Sequence, residues 1–161
     1  MTKPSSTMDF RKARRDDLEA IIDLLADDPL GQSREIVTYP PGAAYLAAFA
    51  AIDADGNQLL AVAEQDGQVV GTLQIQFLPG LARQGALRGQ IESVRVRSDR
   101  RSAGIGAAMI GWAEDQCRAR GCALVQLTSD LSRADAHRFY VRLGYGHTHA
   151  GFKKTLGKTP P

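Results

Sequence analysis

The chain has 161 residues, 43% of them hydrophobic and 24% charged, the balance of one globular domain and not of a disordered chain. No run of eighteen apolar residues occurs, and the opening Met-Thr-Lys-Pro-Ser-Ser-Thr lacks the apolar centre of a signal peptide. A cytoplasmic protein with no membrane partner is expected, with Cys117 and Cys122 as reduced core thiols.

The net charge of +2 conceals an asymmetry. Residues 1–87 carry seven Lys/Arg and twelve Asp/Glu, residues 88–161 thirteen and six. A polyanionic ligand is expected on the second half and a cationic one near the first. The basic residues are mostly single arginines without interleaved aromatics, which argues against nucleic acid.

In chain order, residues 1–7 read as a disordered lead and Asp9 to Ala13 as a strand. Leu18, Ile21, Ile22 and Leu25 then recur at helical spacing, until Asp27-Asp28-Pro29 stops the helix. Residues 27–42, with three prolines, form a long loop of the kind that carries function. Ala43 to Ile52 is an apolar helix. Leu59 to Ala63 is a strand, Asp66-Gly67 a hairpin turn, and Val69 to Leu78 a strand with strict alternation. Gln90 to Arg97 follows as a strand, then a helix from Gly104 to Arg120 with Ile105, Ala108, Met109, Trp112 and Ala113 at core spacing. Ala123 to Thr128 is a strand, Ala134 to Leu143 a helix, and His147 to Leu156 one or two closing strands. Residues 157–161 are a polar tail. The order predicts one domain over 8–156. It is of α/β class, with a mixed, mostly antiparallel central sheet of six to seven strands and about four helices.

The chemistry concentrates in Glu92-Ser-Val-Arg-Val-Arg-Ser-Asp-Arg-Arg-Ser-Ala-Gly-Ile-Gly106, where a strand turns into a helix. A helix start offers unpaired N–H groups and partial positive charge, which suit phosphate. Gly104 and Gly106 let backbone approach a ligand. A dinucleotide-binding turn would need a third glycine nearer than Gly111 and more strand–helix–strand units than residues 1–87 supply. The Gly-x-x-x-x-Gly-Lys-Ser/Thr phosphate loop is absent.

Arg101-Ser-Ala-Gly104-Ile-Gly106 is similar to the Gln/Arg-x-x-Gly-x-Gly/Ala signature of the GNAT superfamily of N-acetyltransferases. Asp135-Ala-His-Arg-Phe-Tyr140-Val-Arg-Leu-Gly144-Tyr145 resembles that superfamily's Ala-x-x-Phe-Tyr-x-x-x-Gly-Phe/Tyr element, and the element order agrees across residues 9–156. The resemblance implies an acyl-CoA N-acyltransferase fold with acetyl-CoA as co-substrate. Main chain of Val94, Arg95 and Val96 would pair with the pantetheine arm. N–H groups of Arg101, Ser102, Ala103, Gly104, Ile105, Gly106 and Ala107 would hold the pyrophosphate. Tyr140 would lie near the thioester sulfur and Arg133 near the coenzyme phosphates. Two positions depart from the pattern: Ser102 stands where a glycine is common, and Arg133 where an asparagine is often found. Homodimers are common in the superfamily.

Acetyl transfer to an amine needs a proton acceptor, because an amine of pKa near ~10 is almost wholly protonated at neutral pH. Glu92 is the candidate base. On a flat strand it shares a face with Val94 and Val96, and the superfamily often has an acid there. The other reading is a buried Glu paired with an arginine. Tyr140 can donate a hydrogen bond to the leaving thiolate, or merely fill the core beside Phe139. Neither cysteine matches a nucleophile position, so direct attack in a ternary complex is expected. His137, beside Asp135 and three before Tyr140 on one helix side, reads as a surface or satisfied histidine, with catalysis as the alternative, and His147 with His149 is too few for a metal site. The expected function is acetyl transfer from acetyl-CoA to a small-molecule primary amine. The Asp-Ala-His-Arg-Phe-Tyr stretch looks like that of small-molecule acetylases, including aminoalkylphosphonate ones. The alternatives are an inactive acyl-CoA-binding regulatory module, or an acetyltransferase of protein N-termini or lysines.

Overall fold

In the computed structural model, which describes residues 7–157, the chain divides into two compact units, residues 1–126 and 127–161. Apart from residues 7 and 157, the expected lead and tail lie outside the described residues. The first unit opens with β1 (Met8–Lys12), a turn of 3-10 helix over Arg15–Asp17, α1 (Leu18–Ala26) and α2 (Ala43–Ala54). β2 (Gln58–Gln65), β3 (Gln68–Leu78), a short α3 (Ala82–Gly85), β4 (Arg88–Val96), α4 (Ile105–Ala119) and β5 (Leu124–Leu127) follow. The strands lie in the order β1-β2-β3-β4-β5, and the first three neighbouring pairs are antiparallel. The fold is therefore α/β with a mixed sheet of five strands, α4 returning the chain from β4 to β5. No described helix is long and apolar enough to cross a membrane.

The expected six to seven strands are corrected to five among the described residues. Residues 147–156 form neither helix nor strand, and Phe152 and Leu156 are 94% and 92% exposed. Without a buried face nothing fixes a register, and Gly146 and Gly151 weaken the stretch as strand. The helix count rises by one through α3, whose Arg83 and Gln84 have φ of 55° and 60°; a single irregular turn has no periodicity to read.

α4 covers one face of the sheet. Its stripe of Ile105, Met109, Ile110, Ala113 and Cys117 is buried, whereas Ala108, expected in the core, is exposed. The helix comes so close that a Cβ on Gly71 would lie 2.6 Å from Met109 Sδ, and one on Gly89 2.4 Å from Cys117 Sγ. At the far edge Trp112 stacks on Phe10 with ring centroids 6.0 Å apart. Burial pushes the Cys117 thiol up to about 12, so it stays an inert core thiol, as expected; both cysteines are free. The opposite face carries a cluster of Ala13, Ile21 and Val62, with Leu25, Phe49 and Leu60 packed against it from α1, α2 and β2.

Arg11 pins β1 to the start of α1. Its Nη1 and Nη2 donate to the two oxygens of Asp17 at 2.7 and 2.9 Å, and Nε and Nη2 donate to Glu64 on β2 at 2.9 and 2.6 Å. The fork from Arg11, with the Arg14 N–H, holds the buried Asp17 carboxyl below its ordinary value. The contribution is whole above the ordinary carboxylate range and fades as pH falls through the lowered folded value. Asp17→Asn is expected to cost about 2–3 kcal/mol at pH 7. Urea unfolding at pH 7 and in acid checks this: the deficit should shrink in acid, and an equal loss at both would assign it to packing.

In the second unit, α5 (Ala134–Arg142) begins after a turn in which the Arg133 N–H donates to the Asp130 carbonyl at 3.0 Å. The Tyr145 N–H returns to the Tyr140 carbonyl at 3.0 Å and closes the helix.

Candidate active site

The turn between β4 and α4 exposes unpaired backbone donors. A second 3-10 turn, Ser98–Arg100, leads into Arg101 in an extended conformation. Ser102 and Gly104 then take left-handed φ of 66° and 79°. Ile105 is buried and anchors the first turn of α4 in the core, leaving residues 101–104 exposed. The first backbone bond of α4 is Ala108 N–H to the Gly104 carbonyl at 3.1 Å. The N–H groups of Ile105, Gly106 and Ala107 precede it, with no side-chain cap and no acidic residue in the first turn. A Cβ on Gly104 would meet no protein atom within 4 Å, so the backbone there is open to an incoming phosphate. Donors, dipole and open backbone suit a pyrophosphate.

The side chain of Arg101 does other work. Its Nε donates to the Val96 carbonyl at 3.2 Å and its Nη2 to the Asp27 carbonyl at 2.6 Å. Asp27 Oδ2 accepts the Ser98 N–H at 2.8 Å. Next to it, buried Asp28 pairs with Arg95 Nε at 2.8 Å and accepts the Leu30 and Gly31 N–H groups through Oδ1. The end of α1 is thus tied to the end of β4. The sequence carried a signal for this: two acids at a helix C-terminus oppose the helix dipole and call for cations or N–H donors elsewhere.

β4 is not flat. Gln74 pairs with Glu92 and Thr72 with Arg95, so Ser93 and Val94 together face Leu73. Ser93 has φ 54°, the left-handed residue of a β-bulge. The bulge shifts the alternation by one, which corrects the expected neighbours of Glu92. Glu92 shares its face with Gln74, Gln90 and Arg95, while Val96, opposite Gly71, lies on the α4 face. Its setting is a row of amides. Gln74 Nε2 donates to Gln58 Oε1 at 2.9 Å, Gln90 Nε2 to Glu92 Oε1 at 3.0 Å, and Gln126 Nε2 to Gln90 Oε1 at 2.7 Å. The alternative of a Glu paired with arginine is not seen at Glu92. No motif distinguishes Gln90 or Gln126 in sequence, since the contact between them exists only once β5 lies beside β4.

β5 has four residues against nine in β4 and begins where the Ala123 N–H meets the Leu87 carbonyl at 2.8 Å. At about 3.3 Å per residue it spans under half of β4, so β5 itself ends short of Val94, Arg95 and Val96. The Val94 and Val96 carbonyls already accept from Arg95 Nη1 at 2.9 Å and from Arg101 Nε, each with a second lone pair left.

In the second unit, Tyr140 is half-buried and meets Phe139 and Tyr145 edge-on, with centroids 5.1 and 5.9 Å apart. Arg133 is half-buried just before α5. His137 Nε2 lies 2.9 Å from the Asp130 carbonyl, an acceptor only, so that nitrogen carries the proton; the ring lies tilted to that of His147 with centroids 5.7 Å apart. Among the described residues no group of three metal-ligating side chains occurs.

The chain belongs to the acetyltransferase (GNAT) family, which matches residues 18–145, and is an acetyl-transferring enzyme. It is 35% identical over 108 residues to the aminoalkylphosphonate N-acetyltransferase of Salmonella typhimurium, covering 67% of this chain and 70% of that one. A solved structure from Bacillus halodurans C-125, described as a transcriptional regulator, superposes with a TM-score of 0.91 at 42% identity, over 93% of this chain and 100% of that one. An acetyltransferase of Trypanosoma brucei superposes with a TM-score of 0.76 at 26% identity, over 93% and 100%.

Proposed function

We propose that this enzyme moves the acetyl group of acetyl-CoA to the primary amine of a small molecule, by direct attack in a ternary complex. The open, uncapped start of α4 after left-handed Ser102 and Gly104 carries this reading; it suits the coenzyme's pyrophosphate. Backbone of Val94, Arg95 and Val96 would hold the pantetheine arm, and Arg133 a coenzyme phosphate. Glu92 takes one proton of the acceptor ammonium, the nitrogen lone pair attacks the thioester carbon, the carbon–sulfur bond breaks, and the second proton leaving nitrogen passes to the thiolate sulfur. Tyr140 donates a hydrogen bond to the departing thiolate. The Salmonella typhimurium relative, whose name states an aminoalkylphosphonate acceptor, supports a small amine over a protein tail.

Release of free thiol in the presence of amines, aminophosphonates, aminoglycosides and peptide N-termini tests the reading. Turnover confined to peptides would move the acceptor to proteins. A second reading, a regulatory module that keeps the coenzyme pocket without turnover, is favoured by the description of the Bacillus halodurans structure. It predicts coenzyme binding with no thiol release from any amine.

Gly104→Val is expected to weaken acetyl-CoA binding about tenfold or more, since it forces a branched side chain into left-handed φ and sets carbons over the helix N–H groups. Calorimetry on the folded variant measures this, and undiminished affinity would place the coenzyme elsewhere.

A further inference from the structure

Gln126, Gln90 and Glu92 form a directed chain: Gln126 Nε2 donates to Gln90 Oε1 at 2.7 Å, and Gln90 Nε2 to Glu92 Oε1 at 3.0 Å. An amide has one accepting end and one donating end. The donor from β5 holds the oxygen of Gln90 away from Glu92, which leaves its NH2 group aimed at the carboxylate. Rotating the amide by half a turn would set oxygen against carboxylate oxygen and NH2 against NH2. Gln90 is buried, at 9% exposure, where water does not readily replace a lost partner. The two Glu92 oxygens are thereby made unequal. Oε1 is engaged by Gln90, and among the described residues Oε2 accepts from no protein donor.

We infer that Gln126 and Gln90 are positioning residues that fix the plane of the Glu92 carboxylate, committing Oε1 to the protein and presenting Oε2 to the acceptor. The inference rests on the proposed role of Glu92 as base. In the proton-transfer step the acceptor N–H bond breaks, its electron pair stays on nitrogen, and the proton binds Oε2 while Oε1 keeps its donor. Gln126 touches no reacting atom; it acts by orienting Gln90.

The test uses Gln90→Met and Gln126→Met, near-isosteric side chains that cannot donate, each in the parent and in a Glu92→Gln background. With acetyl-CoA and the fastest acceptor of the amine panel, kcat is expected to fall about tenfold for Gln90→Met and about threefold for Gln126→Met, at unchanged KM for acetyl-CoA. In the Glu92→Gln background both losses should disappear, because the carboxylate they orient is gone. An undiminished loss in that background would overturn the inference and make Gln90 a packing residue. The amide signals of Gln90 in nitrogen-15 spectra give a readout without turnover. Gln126→Met should speed their exchange with water, and an unchanged signal also overturns the relay. If the parent acetylates no amine, the proposed function fails, and the amide spectrum alone decides whether the relay exists.

Discussion

Glu92→Gln is expected to lower turnover by roughly 10²–10⁴ near neutral pH, because an ammonium cannot attack a thioester until a base removes its proton. The loss should shrink as pH rises and free amine becomes abundant. The substitution keeps a carbonyl oxygen that can still accept from Gln90 Nε2, now 3.0 Å from Glu92 Oε1, so fold and coenzyme affinity should barely change. Thiol-release kinetics over a pH series, with calorimetry of acetyl-CoA binding, separate the outcomes. A variant with weakened coenzyme binding or a lowered melting temperature would make Glu92 a structural acid. One with near-parental turnover would move the base to a water chain.

Tyr140→Phe should reduce turnover about a hundredfold, some 2.7 kcal/mol of barrier. A phenol hydroxyl can donate a hydrogen bond to a leaving thiolate. The ring is held edge-on by Phe139 and Tyr145, and phenylalanine keeps both contacts, so coenzyme affinity and melting temperature should stay close to parental. Turnover within a factor of two of the parent would show that the hydroxyl has no part in the chemistry.

Periodicity made most of the framework legible. The spacing of Leu18, Ile21 and Ile22 marks α1, strict alternation marks β3, and Asp66-Gly67 turns the hairpin with φ of 52° and 75°. The turn ahead of α4 was legible for a different reason: a helix start exposes the same N–H groups whatever the rest of the fold, and the glycines announce it. What stayed hidden depends on neighbours distant in sequence. Ser93 carries no sign that it bulges, since the extra residue exists only relative to Leu73 on the facing strand. Gln90 and Gln126 are ordinary strand polar residues until β5 lies beside β4. The closing strands were over-read because residues 147–156 bury no face that would hold them to a partner edge.

The bulge at Ser93 also makes β4 a strand of two phases. Before it, even-numbered residues share the face of Glu92; after it, odd-numbered Arg95 takes that face and reaches Asp28. Flattening the bulge with both residues kept would carry one phase through the strand and turn Arg95 toward α4, placing a guanidinium against an apolar helix and stranding Asp28, whereas deleting one of the two leaves Arg95 opposite Thr72 on the face of Glu92. The left-handed backbone at Ser93 is therefore what keeps Arg95 on the face of Glu92. A lineage can exchange the exposed Ser93 for another side chain that tolerates a left-handed backbone. A β-branched residue at that position, which resists left-handed φ, would press the strand toward the flat register.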